Sequence, residues 1–169
     1  MTQPIAGVSP PSMFETTIMT IWPGITRFAL GRILGQMYDI KAGTYIFTVG
    51  NLLALLTAPG GAKLYLLRLA PGFALRYRLT NRRIVVEKGM NYKEDRSVEL
   101  DRFDSIEIVV RPGQRWFAHG DLVFKLGNTE TFRLEAVPRP DVFKSIVWKA
   151  HLSNVGVKKA MAREKAAVA

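Results

Sequence analysis

The sequence predicts an α+β protein in which an apolar helical part precedes an antiparallel β-domain that ends in a helix. Three observations support this fold class. Residues 42–62 run for 21 positions without an ionisable side chain. From Ala74 onward apolar residues recur at every second position, which is the period of strands that bury one face. After Asp141 they recur at intervals of three and four, which is the period of a helix that buries one face.

The N-terminal part is predicted to begin as an extended leader, residues 1–24, and to continue as an amphipathic helix, residues 25–41. Three prolines among the first eleven residues disfavour a regular element there. Within the helix Arg27 and Arg32 project from the polar side, and the other side carries Ala29, Leu30, Ile33, Leu34 and Met37. Such a helix lies in a membrane interface or packs on the β-domain, and its basic polar side favours the interface.

Residues 42–73 are predicted to form a hydrophobic membrane segment or hairpin. A helix needs about 20 consecutive apolar residues to cross the core of a bilayer. Pro59, Gly60 and Gly61 are expected to end this helix after about 15 residues, so a re-entrant hairpin that turns there competes with a true crossing. The third interpretation is the buried core of a soluble protein. Membrane contact is expected from Trp22, Phe28, Tyr45, Phe47, Leu52, Leu53, Leu55 and Leu56.

The β-domain is predicted over residues 74–152 and is followed by a basic tail, residues 153–169. Short runs of alternating apolar and polar residues, separated by turn residues, predict its strands. The predicted strands are residues 74–79, 83–87, 97–100, 105–110, 122–126 and 131–136. Asp141 is placed to cap the helix that follows, whose buried face carries Phe143, Ile146, Val147 and Ala150.

The net charge of +10 is concentrated in the C-terminal part of the chain. The 107 residues after Ala62 carry 21 of the 24 basic and 12 of the 14 acidic side chains. A strongly basic surface fits anionic lipid and nucleic acid, and the adjacent apolar segment favours lipid over nucleic acid as the partner. By the positive-inside rule, the C-terminal domain is expected on the cytoplasmic side. The absence of cysteine excludes disulfides and thiolate chemistry and fits a reducing compartment.

Four stretches of the C-terminal part occur in the order found in a known family of bacterial membrane proteins. They are residues 77–89 (YRLTNRRIVVEKG), 98–108 (VELDRFDSIEI), 120–122 (GDL) and 134–138 (LEAVP). The four stretches resemble bacterial pleckstrin-homology-like (PH-like) domains. The likeness covers about residues 74–150.

The resemblance implies a PH-like antiparallel β-barrel or sandwich capped by a C-terminal helix. In this chain the domain would be preceded by the amphipathic helix and the hydrophobic membrane segment. Hydrophobic or transmembrane segments often stand ahead of such domains, which implies a membrane-anchored protein of the bacterial cytoplasmic (inner) membrane. The family has no shared active site. Some relatives assist the assembly of membrane complexes, including photosynthetic ones.

No residue pattern predicts catalysis, a metal site or a cofactor. His119 and His151 are the two histidines, and neither stands at a metal-ligand spacing. The carboxylates within residues 95–107 lie beside arginines, where solvated ion pairs are the default. The glycine-rich nucleotide motifs and the serine-nucleophile motif are absent from the sequence. The protein is therefore expected to be non-enzymatic and to need no cofactor.

Basic and aromatic residues of the β-domain are the candidates for binding lipid headgroups or an acidic protein partner. Residues 111–120 place arginines next to Trp116 and Phe117, a mixture that suits a headgroup boundary. The predicted lipid- or partner-binding residues are Arg76, Arg78, Arg82, Arg83, Arg111, Arg115 and Trp116. The chain is thus expected to be a membrane-anchored interaction or scaffold module.

The alternative function is that of a structural subunit or assembly factor of a larger membrane complex, such as a photosynthetic one. In that case the two apolar segments would pack on helices of protein partners rather than face lipid. Gly31 and Gly35, at a G-x-x-x-G spacing, and Gly43 and Gly50 are small residues that allow helices to approach closely.

Overall fold

The computed structural model describes residues 15–44, 47–67, 70 and 73–168. Within this part of the chain the elements form a β-domain with two larger antiparallel sheets and a helical excursion. In chain order they are β1 (Thr17–Ile21), α1 (Ala29–Tyr38), β2 (Gly43–Thr44), β3 (Phe47–Thr48), α2 (Val49–Leu67), β4 (Leu75–Thr80), β5 (Arg83–Lys88), β6 (Lys93–Glu99), β7 (Ser105–Val109), β8 (His119–Leu126), β9 (Thr129–Pro138) and α3 (Pro140–Val168).

The first sheet has the strand order β1-β4-β5-β6. Strands β4 and β5 form a tight hairpin because Thr80 Oγ1 accepts hydrogen bonds from the backbone N–H groups of Arg82 and Arg83 at the turn. The inward side chains of β4 are its alternating apolar residues, whereas β5 is buried on both faces from Ile84 to Glu87. The second sheet has the order β7-β8-β9, and all pairings in both sheets are antiparallel.

The hydrophobic core lies between the two sheets and the first half of α3. Helix α3 starts at Pro140, whose fixed backbone angle suits the first helical position, with Asp141 in its first turn. Its apolar face meets residues of both sheets. The fully buried large side chains of this core include Tyr77, Leu79, Ile84, Leu100, Phe103, Leu122, Phe124, Leu134 and Phe143.

The helices α1 and α2 form an excursion between two neighbouring strands of the first sheet. The chain leaves β1 at Ile21 and returns through β4, where Ile21 pairs with Tyr77. A single 3₁₀ turn (Ile25–Arg27) leads into α1, and the short pair β2–β3 leads into α2. Because both ends of the excursion are fixed on adjacent strands, the two helices are held beside the β-domain.

The structure confirms the predicted antiparallel β-domain with its C-terminal helix. Each predicted strand corresponds to one of β4 to β9, with ends that differ by a few residues. The predicted inward faces are also correct at their centres. Val110 and Leu126 are exposed instead, because each lies at or beyond the end of its strand.

Two boundaries differ from the prediction. Residues 17–21, assigned to the leader, form the edge strand β1, which pairs with β4 because its short run of β-branched residues can add to that edge. Residues 153–168, assigned to a tail, continue α3 as helix, since alanine, lysine and arginine are good helix formers even without a core to face. Residues 1–14 lie outside the described part of the chain.

A bidentate ion pair holds the start of β1 on the sheet and provides a pH test of this assignment. Arg83 donates from Nε and Nη2 to the Glu15 carboxylate at 2.9 and 3.1 Å. This hydrogen bonding keeps the pKa of Glu15 below its ordinary value of 4.5. Since the folded state lowers the pKa, the pair stabilises the protein at neutral pH, and the stabilisation is lost as acid protonates Glu15.

We therefore expect Glu15→Gln to lower the melting temperature more at pH 7 than at about pH 3. The ion pair is partly solvated, so the expected loss is at most about 1 kcal/mol. The measurement is thermal unfolding of both proteins across this pH range. Asp95→Asn is the control because Asp95 is exposed and forms no ion pair within the described residues. An equal effect of Glu15→Gln at both pH values would contradict the prediction.

Helix α2 differs from the predicted membrane segment in one respect. It continues through Pro59, Gly60 and Gly61, so the chain does not turn there as the hairpin interpretation required. Proline inside a helix removes one backbone hydrogen bond and crowds the preceding turn, but the flanking leucines are good helix formers. Among the described residues, no helix has both the length and the apolar character needed to cross a bilayer, so the predicted transmembrane helix is not supported.

Candidate functional site

Helix α1 packs on the β-domain through its glycines rather than through its apolar face. A Cβ atom added to Gly31 would lie 2.1 Å from the carbonyl oxygen of Ile25, and one added to Gly35 would lie 2.0 Å from that of Gly113. Only glycine allows such close backbone contact. The predicted use of this G-x-x-x-G spacing by a second helix is therefore wrong, because the chain's own backbone occupies it.

The apolar face of α1 is consequently turned away from the domain. Leu30 and Ile33 are 62% and 51% exposed, whereas Gly31, Gly35 and Tyr38 are buried. A packed amphipathic helix normally buries its apolar stripe, and here part of the stripe is exposed while Leu34 and Met37 are half-buried. The helix therefore packs on the domain, and its location in a membrane interface stays a prediction.

Helix α2 has one face against α1 and the opposite face without a partner in the described chain. Gly50 abuts the carbonyl oxygen of Tyr38, and the Tyr38 hydroxyl donates to Thr57 Oγ1 at 2.6 Å. Leu53 and Leu64, on the same side, are half-buried. On the other side Leu55 and Leu56 are 76% and 77% exposed, and they form one stripe with Leu52, Pro59, Lys63 and Leu66.

Gly43 and Gly50 also serve contacts within the chain. Gly43 has φ +123° and packs on the carbonyl oxygen of Phe47, and Gly50 packs on the carbonyl oxygen of Tyr38. A larger residue at either position would clash with these carbonyl oxygens. Gly43 and Gly50, which were predicted to pack on partner helices, therefore make contacts within the excursion.

The outward sides of the helical excursion carry an exposed apolar surface. We refer to it as the helical apolar face. Contiguous exposed apolar patches beyond a few hundred Å² are rare on monomeric proteins and mark interaction sites. Its exposed members are Leu30, Ile33, Phe47, Val49, Leu52, Leu55, Leu56 and Leu66.

The remaining predicted membrane-contacting residues occupy different environments. Trp22 is exposed just after β1, and Leu53 is half-buried toward α1. Phe28 packs edge-on against Phe73, with ring centroids 5.8 Å apart. Tyr45 lies outside the described residues.

Most arginines predicted to bind lipid or a partner are engaged by carboxylates of the β-domain. Arg76 and Arg78 both contact the buried carboxylate of Glu87. Arg83 bridges Glu15 and Glu94. A cation that already faces a carboxylate offers less net charge to a phosphate. Their binding role stays a prediction.

Arg111 is part of a buried polar network at the start of the second sheet. Its guanidinium lies 2.6 Å from the fully buried carboxylate of Asp121. The Asp121 carboxylate also accepts hydrogen bonds from Gln114 Nε2 at 2.7 Å and from the backbone N–H of Ala136. Removing one partner of such a buried pair costs about 3–5 kcal/mol in proteins. Arg111 therefore has a structural role here.

The cations near the helical apolar face are not engaged in this way. Arg27 donates to the carbonyl of Phe73, and Arg32 donates to carbonyls in the 3₁₀ turn. Lys41, Lys63 and Arg115 are exposed and form no ion pair with the residues that the structure describes. Arg82 is exposed at the turn between β4 and β5. Positive charge without an ion pair among the described residues is thus present beside the two helices.

Neither histidine belongs to a metal-binding arrangement. His119 shares a hydrogen bond with Thr26 Oγ1 at 3.0 Å, and His151 Nδ1 lies 2.5 Å from the carbonyl oxygen of Leu100. Within the described ranges no group of three His, Cys, Asp or Glu side chains could hold a metal ion. That the protein needs no metal or cofactor stays a prediction.

Comparison with known proteins agrees with this architecture. The chain matches the bacterial PH domain family over residues 27–153, which includes the helical excursion from α1 onward and the β-domain through half of α3. No curated protein and no solved structure matches the chain. Because the match covers well over half of the 169 residues, the chain belongs to the bacterial PH domain family.

Proposed function

We propose that this protein is a non-enzymatic interaction module that rests on the anionic cytoplasmic surface of the bacterial inner membrane. The helical apolar face would enter the headgroup region, and the PH-like domain would remain in the cytoplasm to bind protein partners. One observation carries the proposal: Leu55 and Leu56, the most exposed of the large apolar residues that the structure describes, lie on α2, and the cations beside α1 and α2 form no ion pair with the described residues.

The apolar and the electrostatic contributions to the binding free energy together favour stable but reversible membrane binding. Each leucine side chain that moves fully out of water contributes about 1.5–3 kcal/mol. Each cation near an anionic surface contributes about 1 kcal/mol. A peripheral protein needs two such signals to remain on a membrane, and the helical apolar face supplies both.

The composition of α2 also supports an apolar environment. Three consecutive helix-disfavouring residues, Pro59, Gly60 and Gly61, lie inside a helix with only Gly50 buried. Proline costs about 3 kcal/mol and each glycine about 1 kcal/mol in a helix exposed to water. In a membrane interface unpaired backbone groups are costly, so the helical state gains stability there.

The first experiment is flotation of the full-length protein with vesicles of phosphatidylcholine alone and of phosphatidylcholine with phosphatidylglycerol. We expect binding to rise with the phosphatidylglycerol fraction and to weaken at about 0.5 M salt, where charges are screened within a few Å. Binding that remains at high salt measures the apolar contribution. Absence of binding at every composition would overturn the proposal.

A second function is favoured by a specific observation in α2. A Cβ atom added to Gly60 or Gly61 would meet nothing within 4 Å, so the backbone there is open to close approach by another helix. This suits a subunit or assembly factor of a membrane complex. Mild detergent extraction followed by affinity isolation tests it: a stoichiometric membrane partner supports this function, and recovery of the protein alone argues against it.

A further inference from the structure

Strand β7 forms an open edge of the second sheet. The strand order β7-β8-β9 puts β8 on one side of β7 and no strand on the other. Within the described part of the chain, the backbone of residues 105–109 forms hydrogen bonds only in its pairing with β8. Every second residue of an edge strand points its N–H and C=O groups away from the neighbouring strand. The free side of β7 is therefore a row of unpaired backbone groups that can template a further strand.

The other three edges of the two larger sheets are protected. On β9, the Tyr77 hydroxyl donates to the carbonyl of Glu135 and accepts from its N–H group. Strand β6 is rich in exposed charges, and β1 contains a bulge, and both features discourage pairing with another strand. Over residues 105–109, β7 has no bulge and no proline. Its one charged residue, Glu107, already faces Lys125 of β8 at 2.6 Å.

The first turns of α3 lie beside this open edge and contact β7. A Cβ atom added to Gly120 of β8 would be 3.0 Å from Pro140 Cγ and 3.2 Å from Ile108 Cγ2, so the start of the helix and the strand meet there. Apolar side chains border the edge on both sides, and we refer to them as the edge strip. They are Ile108 and Val110 along the strand, and Val142 and Ile146 one turn apart on α3.

The charge around the edge strip is positive. Residues 139–150 contain three basic side chains and one acidic side chain. Lys149, one turn after Ile146, is exposed and forms no ion pair with the residues that the structure describes. Two copies of a chain with a net charge of +10 repel each other. An acidic segment of another protein therefore fits this edge better than a second copy does.

We propose that the open edge of β7 binds an extended acidic segment of a protein partner as an added strand. The backbone of the segment would bond to the free side of β7, and its alternate side chains would lie on the edge strip. The segment has to be extended because a helix uses its own backbone groups internally. The inference rests on that part of the proposed function in which the PH-like domain binds protein partners, and it identifies the surface.

The test is selection of binding peptides from a library of short random sequences, with full-length protein and without lipid. We expect the selected peptides to alternate apolar and acidic residues. Hydrogen exchange is then measured with the tightest selected peptide. The amides of residues 105–110 should gain protection, whereas those of β6, another edge strand, should not change.

Substitutions in the edge strip give the second measurement. Val110→Ser combined with Val142→Ser should weaken binding of the selected peptide by about tenfold, because each side chain is 52% exposed and would be covered by the peptide. Met90→Ser is the control, since Met90 is 65% exposed in the turn between β5 and β6, and it should bind like the unchanged protein. Lys149→Glu should weaken binding by about fivefold at low salt and by less at high salt.

The possible outcomes separate this inference from membrane binding. Protection of residues 105–110 together with the loss in the double variant supports the added strand. Peptides that protect another region, peptides that bind the double variant equally well, or the absence of any enriched peptide would overturn it. Protection of residues 105–110 that rises with protein concentration alone would also overturn it, because the occupant would then be a second copy. Vesicle flotation of the double variant should be unchanged, so failure of the unchanged protein to bind vesicles overturns only the membrane part of the proposed function.

Discussion

The double substitution Leu55→Ser and Leu56→Ser is expected to weaken binding to anionic vesicles by about 100-fold. Both side chains are more than three-quarters exposed on the outward stripe of α2, so the folded domain does not depend on them. Replacing each by serine removes apolar area worth about 1.4 kcal/mol or more on transfer from water, which corresponds to about tenfold per residue.

Flotation and titration with vesicles of fixed composition measure this loss. The control is Leu152→Ser, because Leu152 is a leucine of α3 that is 55% exposed and lies outside the helical apolar face. We expect the control to bind like the unchanged protein. Circular dichroism of both variants verifies that the helices persist. Undiminished binding of the double variant would show that the helical apolar face does not contact lipid.

Gly35→Ala is expected to destabilise the protein by about 3 kcal/mol and to separate α1 from the loop between β7 and β8. The new Cβ atom would lie 2.0 Å from the carbonyl oxygen of Gly113, which is backbone and cannot move aside like a flexible side chain. Overpacking of this kind typically costs about 1–3 kcal/mol and sometimes more. We place this substitution at the upper end because backbone meets backbone.

Gly60→Ala is the matched control for this prediction. It is the same substitution inside a helix, but an added Cβ atom has open space around it. Alanine is the better helix former by about 1 kcal/mol, so this variant should be slightly more stable. Chemical denaturation gives both values, and hydrogen exchange should show lost protection of α1 and residues 110–118 in Gly35→Ala alone. Equal stability of the two variants would contradict the close packing.

The distribution of charge changes how the high isoelectric point is understood. The arginine-rich strands β4 and β5 suggest a basic binding surface, but Arg76, Arg78 and Arg83 face carboxylates that lie far away in sequence or on the neighbouring strand. Cations without an ion pair among the described residues lie beside the two helices, and others, such as Lys88 and Lys149, lie elsewhere on the domain. A net charge therefore indicates a class of partner without locating the surface that meets it.

The two helices are inserted between neighbouring strands of the first sheet. Because the excursion begins after β1 and ends before β4, and these strands are neighbours, the helices are attached to the sheet at two adjacent points. A single flexible linker would allow the domain to tumble above a membrane. Two adjacent attachment points, together with the contact between Gly35 and Gly113, hold the domain in one orientation relative to the helices.

The sequence by itself determined the elements whose periodicity is strong. Strands β4 to β9 and the buried half of α3 were predictable because alternation and helical spacing record which side of each element is out of water. The apolar character of α2 and the adjacency of arginine and tryptophan at residues 115–116 were also evident. Those patterns depend only on neighbours along the chain.

Only the tertiary structure decided which of these residues are free to bind. Glycine spacing cannot tell a partner helix from the chain's own carbonyl oxygens, so the role of Gly31 and Gly35 was missed. Ion pairs such as Arg83 with Glu15 join residues 68 positions apart, and nothing local indicates them. The physical reason is that exposure and charge pairing depend on which elements contact each other in space. Sequence periodicity shows only which side of a single element is buried.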